Sequence, residues 1–131
     1  MTRRILIVDD DPAHRAAIYD YLVARYSDQD YAIETAADGD AAMLAVLRAR
    51  PDAVILDVVM PGMSGTEVLK LIRAADPTIP VVMLTGQTDA RVAGETLRLG
   101  AIAYAPKPVN FRYLEHLLAT VLERPRGPRR P

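Results

Sequence analysis

The chain has 131 residues, 50% of them apolar and 25% charged, with a formal net charge of −1. That length suits one domain with a proper hydrophobic core, and the near-neutral balance gives no overall basic field for nucleic acid or a membrane surface. No cysteine is present, which excludes disulfides and thiolate metal sites, and no apolar run approaches the roughly 20 residues needed to cross a bilayer. Near the N-terminus Ile5, Leu6, Ile7 and Val8 meet Asp9 at once, too short a run for the core of a signal peptide. A single cytoplasmic domain is expected.

Short apolar runs alternate with helix-period segments, the pattern of βα units around a parallel sheet. The first run, 5–8, is followed by Asp11 as an N-cap with Pro12 at the first helical position, where a missing N–H costs nothing. The second run is 32–35, and after it Ala42, Ala45, Val46 and Ala49 make a helical stripe that Pro51 stops. The third run is 54–56; Ser64 and Glu67 then form a capping box, followed by a stripe of Val68, Leu71, Ile72 and Ala75. The fourth run is 81–84, and the spacing predicts a helix over 88–99 ending at Gly100 as a left-handed C-cap. Its stripe of Val92, Thr96 and Leu99 is thin, so it is expected to be the least firmly packed helix. The fifth run is 102–105, and a last helix from about Asn110 carries Leu114, Leu117, Leu118, Val121 and Leu122. The first, third and fourth runs are nearly continuous in Val, Ile and Leu, as expected of strands covered on both faces. Residues 124–131, rich in proline and arginine, read as a flexible tail or truncated linker after a domain over 1–123.

The polar residues gather at strand ends. Asp9 and Asp10 directly follow the first strand and Asp57 the third; Thr85 follows the fourth, and Lys107 follows the fifth within two residues. Ligands of parallel α/β sheets bind beyond the carboxyl ends of the strands, where strand order reverses. If the strand order is 2-1-3-4-5, the second strand is an edge remote from that site, and three carboxylates, a hydroxyl and an ammonium would converge in one shallow cleft. Clustered carboxylates repel unless a cation joins them, and an oxygen-only set favours Mg²⁺. Carboxylates also serve as covalent nucleophiles in phosphoryl transfer, where positioning and charge neutralisation do most of the catalysis.

Four segments, Ile5-Leu6-Ile7-Val8-Asp9-Asp10-Asp11-Pro12, the stretch from Val54 through Asp57 and Pro61 to Gly65, Val81-Val82-Met83-Leu84-Thr85-Gly86 and Lys107-Pro108, resemble the receiver domains of bacterial two-component response regulators of the chemotaxis-regulator kind. The resemblance spans about residues 3–123, and the motifs in this order make it specific. It implies a flavodoxin-like (βα)5 three-layer sandwich with a five-stranded parallel sheet of order 2-1-3-4-5. It implies that Asp57 is the phosphoacceptor, assisted by Thr85 and Lys107, and that Mg²⁺ is held by Asp9, Asp10, Asp57 and the backbone carbonyl of Val59. Asp9 would act largely through a metal-bound water, and a cis peptide would precede Pro108. Thr85 and Tyr104 would be the switch that alters the face of the fourth helix, fifth strand and fifth helix for partner binding. A sensor histidine kinase or histidine phosphotransfer protein would donate the phosphoryl group, an unknown downstream effector would read it, and nucleic acid would not be bound directly. Such a chain is a regulatory phosphoacceptor rather than an enzyme, a monomer or a phosphorylation-dependent homodimer.

Three positions depart from the common pattern. Val59 puts an apolar side chain where polar residues are frequent, which predicts slower loss of phosphate. Pro106 removes a donor from the fifth strand, tolerable at a sheet edge. Ile102-Ala103 replaces an acidic pair, which weighs against the usual dimer through the fourth helix, fifth strand and fifth helix. His14 and His116 read as surface residues. Two other functions compete: a pseudo-receiver that never carries phosphate, and an aspartyl-phosphate hydrolase of the haloacid dehalogenase type. Asp9, Asp10, Asp57, Thr85 and Lys107 together argue against the first. The second needs an acid two residues after the nucleophile, where Val59 stands. Neither G-x-x-x-x-G-K-[ST] nor G-x-G-x-x-G occurs, so nucleotide binding has no motif support.

Overall fold

The computed structural model describes residues 2–86 and 90–122. Strands β1 (Arg3–Val8), β2 (Tyr31–Ala36), β3 (Ala53–Asp57), β4 (Val81–Thr85) and β5 (Ala103–Pro106) alternate with helices α1 (Pro12–Arg25), α2 (Gly39–Arg48), α3 (Gly65–Ala75), α4 (Ala90–Arg98) and α5 (Phe111–Leu122). All strand pairs are parallel and the order is β2-β1-β3-β4-β5, the expected flavodoxin-like sheet with β2 and β5 at its edges.

Alternation along each strand divides the core. Leu6, Val8, Val54, Leu56, Val81 and Met83 face α2 and α3, while Ile5, Ile7, Ile55, Val82 and Leu84 face α1 and α5. β3 and β4 are buried along their whole length, as their unbroken apolar runs imply. Each large aliphatic side chain so enclosed contributes about 1.5–3 kcal/mol relative to exposure. α1 and α5 are also tied across the surface. Tyr21 donates a hydrogen bond of 2.6 Å to Glu115 Oε1 and stacks on Phe111 with ring centroids 4.9 Å apart.

The helix punctuation is largely as the sequence implies. The Asp11 carboxylate accepts from the N–H groups of Ala13 and His14, and Ser64 Oγ accepts from the N–H of Glu67 at 3.2 Å. Gly100 takes φ +108° just beyond α4, a conformation open to glycine. The stripe expected on α3 is rotated: Val68, Leu69 and Ile72 are buried, and Leu71 and Ala75 are exposed. Both leucines fit a helical period, and Leu69 is the one packed with Val68 and Ile72 into the core. α4 buries Ala93 and Thr96 and leaves Val92 half-buried, as is Leu99 just beyond its end. The predicted start of that helix at Thr88, and the tail expected at 124–131, lie outside the described residues.

Candidate functional site at the carboxyl end of the sheet

The crevice lies where the chain leaves β1 in one direction for β2 and β3 in the other for β4, the reversal point that the strand order creates. β1 ends at Val8 and β3 at Asp57, on neighbouring strands in register. Asp9, Asp10 and Asp57 therefore meet, each offering a carboxylate oxygen within 4.8 Å of the others. Asp9 is fully enclosed and Asp57 is 2% exposed, whereas Asp10 is half-buried.

Lys107 reaches the same point from the opposite edge. Its ammonium donates a 2.7 Å hydrogen bond to Asp57 Oδ2, joining residues 50 positions apart. Its own main-chain N–H donates to the Thr85 carbonyl at 2.7 Å, which continues the β4–β5 ladder past Pro106. The peptide bond between Lys107 and Pro108 is cis. Thr85 is buried at the end of β4, and Tyr104, one strand over on β5, is exposed. The Val59 N–H donates to Asp57 Oδ1 at 3.2 Å, and the residue is 63% exposed. Pro106 occupies the edge strand, where its missing N–H leaves no central ladder bond unmade.

Burial raises the Asp57 carboxyl above the ordinary aspartate value, because an enclosed anion loses hydration. The hydrogen bond and positive charge of Lys107 oppose that rise, and the charge of Asp9 adds to it. Two enclosed carboxylates thus share the crevice with one ammonium. That excess of negative charge, made wholly of hard oxygen donors, fits a divalent cation such as Mg²⁺.

The close approach of α3 to this loop depends on Gly65. Its N–H donates to the Val58 carbonyl at 2.9 Å, and a β-carbon on Gly65 would stand 2.0 Å from the carbonyl oxygen of Asp57. No side chain fits there.

One residue read from the sequence as a surface histidine belongs to the site. His14, on the first turn of α1, places Nδ1 against Asp9 Oδ2, and its side chain is 22% exposed. The sequence signal was its position, three residues after the N-cap on the helix that opens directly behind the acid pair. His116 is exposed on α5, as expected.

The chain matches the response regulator receiver domain family over residues 5–119. It belongs to that family. The receiver domain is 42% identical over 120 residues to the response regulator MprA of Mycobacterium leprae, covering 90% of this chain and 49% of the relative. It is 37% identical over 122 residues to the probable transcriptional regulatory protein TcrX of Mycobacterium tuberculosis, covering 92% and 50%. The chain thus spans about half the length of these curated relatives. Among solved structures, the chemotaxis protein CheY4 of Vibrio cholerae superposes with a TM-score of 0.79 at 34% identity, covering 93% of this chain and 100% of that one. The receiver domain of a DNA-binding response regulator from Colwellia psychrerythraea gives a TM-score of 0.85 at 27% identity, covering 93% and 99%. This receiver domain is of the two-component type, a regulatory module; the pseudo-receiver and hydrolase readings are not favoured.

Proposed function

We propose that Asp57 accepts a phosphoryl group from a sensor histidine kinase or histidine phosphotransfer protein, and that the modified domain engages a downstream effector in the cytoplasm. The observation that carries this reading is the meeting of Asp57 with Lys107 at 2.7 Å inside a cluster completed by Asp9 and Asp10.

Asp9, Asp10, Asp57 and the carbonyl of Val59 would hold Mg²⁺. When bound, it would offset the negative charge shared by the carboxylates and the phosphoryl oxygens. The Asp57 carboxylate supplies the attacking oxygen, with Oδ1 steadied by the Val59 N–H and Oδ2 by Lys107. As the bond from the Asp57 oxygen to phosphorus forms, the phosphorus–nitrogen bond to the donor's histidine breaks and the imidazole leaves with that electron pair. The Lys107 ammonium then transfers its hydrogen bond to a phosphoryl oxygen, and the Thr85 hydroxyl binds another. Preorganised donors of this kind act strongly where water is excluded. Movement of Thr85 toward the phosphoryl group lets Tyr104 turn inward on β5. That shift in population is the signal read on the α4, β5 and α5 face. The apolar Val59 side chain crowds the approach of a hydrolytic water and slows the loss of phosphate.

The test is intact mass spectrometry after incubation with acetyl phosphate and Mg²⁺. Wild type gains one phosphoryl group only when Mg²⁺ is present, and Asp57→Ala gains none. Equal labelling of the two proteins sinks the assignment.

A further inference from the structure

Every acceptor atom of Asp9 is engaged from the opening turns of the helix that follows it. The N–H of Asp11 donates to Asp9 Oδ1 at 2.9 Å. His14 places Nδ1 against Oδ2, and the Arg15 guanidinium donates to the Asp9 carbonyl at 2.8 Å. Three different groups thus converge on one fully enclosed acid.

We infer that His14 is a positioning residue for the acid cluster, its ring N–H holding the Asp9 carboxylate in the orientation from which it supports a divalent cation. The inference rests on the reading of Asp9, Asp10 and Asp57 as the cation-binding acids. An ionised carboxylate only accepts hydrogen bonds, so Nδ1 is the donor in this contact. The α1 backbone sets where the ring stands: Asp11 caps the helix through the His14 N–H, and Ile18 and Leu22 anchor the next turns in the core. Each carboxylate oxygen has two lone-pair directions, so a bond from His14 to Oδ2 and one from Asp11 to Oδ1 leave the outward pair of each free for a cation or its water. His14 itself stands outside the group of oxygens that converge within 4.8 Å. It therefore acts through Asp9 and is not a ligand. Without it, Oδ2 is free to rotate or to recruit water, and binding a cation carries the added cost of ordering that side chain. Partners of this kind, one step removed from the metal, commonly govern affinity by about 10–100-fold.

The experiment compares Mg²⁺ affinity, by isothermal titration calorimetry, in wild type, His14→Leu and His14→Asn. Leucine keeps bulk and removes the donor, whereas the asparagine amide nitrogen can stand near the Nδ1 position and restore it. Thermal midpoints in EDTA serve as the control for folding. The inference expects His14→Leu to weaken Mg²⁺ about tenfold, His14→Asn to recover most of that loss, and both midpoints to stay near wild type. Unchanged or tighter binding in His14→Leu overturns it, as does His14→Asn behaving like leucine. A variant whose lower affinity follows a lower midpoint assigns His14 a structural role and overturns it too. Wild type that binds no Mg²⁺ overturns the cation-site reading along with it. Normal wild-type binding and phosphorylation with an indifferent His14→Leu defeats this inference alone.

Discussion

The two ends of the sheet are built from the same residue types and treat them in opposite ways. At the amino end, acids are matched with donors. Arg50 donates from Nε to Asp76 Oδ2 at 3.2 Å and from Nη2 to the Thr78 carbonyl and hydroxyl, and it also lies 3.6 Å from Asp52. Asp52 accepts from the Arg4 N–H at 2.8 Å, and Glu34 is shared between Arg4 and Arg48. At the carboxyl end three acids converge on one another, with Lys107 paired to Asp57 and His14 to Asp9. Partial burial acts to raise Asp76, but hydrogen bonds from Thr78 and the charge of Arg50 outweigh it, so its carboxyl lies below the ordinary value. Asp57 lies above its own, because burial outweighs Lys107. One end spreads its acids among arginines, and the other gathers three carboxylates whose mutual repulsion Lys107 offsets only in part. Perturbed acids beside a crevice mark function for this reason.

Several changes would break or sharpen the contrast. Gly65→Ala should have the largest effect, about 3 kcal/mol in urea unfolding, because backbone faces backbone there and neither can yield. Lys107→Met should slow phosphorylation by acetyl phosphate about 100-fold, the cost typical of losing one preorganised donor, followed as the time course of intact mass. Arg50→Ala should do the reverse, leaving that time course unchanged and lowering stability by about 1 kcal/mol, since the side chain is well exposed.

The smallest effect concerns pH and has opposite signs at the two ends. A carboxyl raised in the folded state opposes folding once the pH passes its ordinary value of about 4. In EDTA at pH 7, Asp57→Asn should therefore melt a few degrees above wild type, with the gap closing as the pH falls toward about 4. A depressed carboxyl stabilises above that ordinary value and loses its contribution as the pH falls through the folded one. Asp76→Asn should thus melt below wild type at pH 7 and converge with it in acid. Differential scanning calorimetry across pH 3 to 7, with both gaps of the same sign, would remove the distinction between the ends.

Much of this architecture was legible in the residues. Val54, Ile55 and Leu56 cannot form a half-exposed strand without leaving apolar surface in water, so a sheet covered on both faces followed. Asp11 and Ser64 carry their caps locally. The meeting of Asp9, Asp10, Asp57 and Lys107 followed from a topological rule that turns position along the chain into position in space, once the family resemblance had supplied the strand order. Other features depended on rotations that no local pattern specifies. Leu69 and Leu71 both suit a helical period, and only the packed core shows Leu69 turned inward. His14 read as a surface residue because its contact with Asp9 depends on how α1 packs over the sheet through Ile18 and Leu22. The approach of Gly65 to Asp57 is likewise a distance between two backbones. Periodicity, caps and strand ends are properties of neighbouring residues, and the sequence by itself determined them; with the family resemblance it also gave the strand order and hence the meeting of the acids. The angle at which each helix lies on the sheet is settled by the packing of the whole core, and only the tertiary structure decided it.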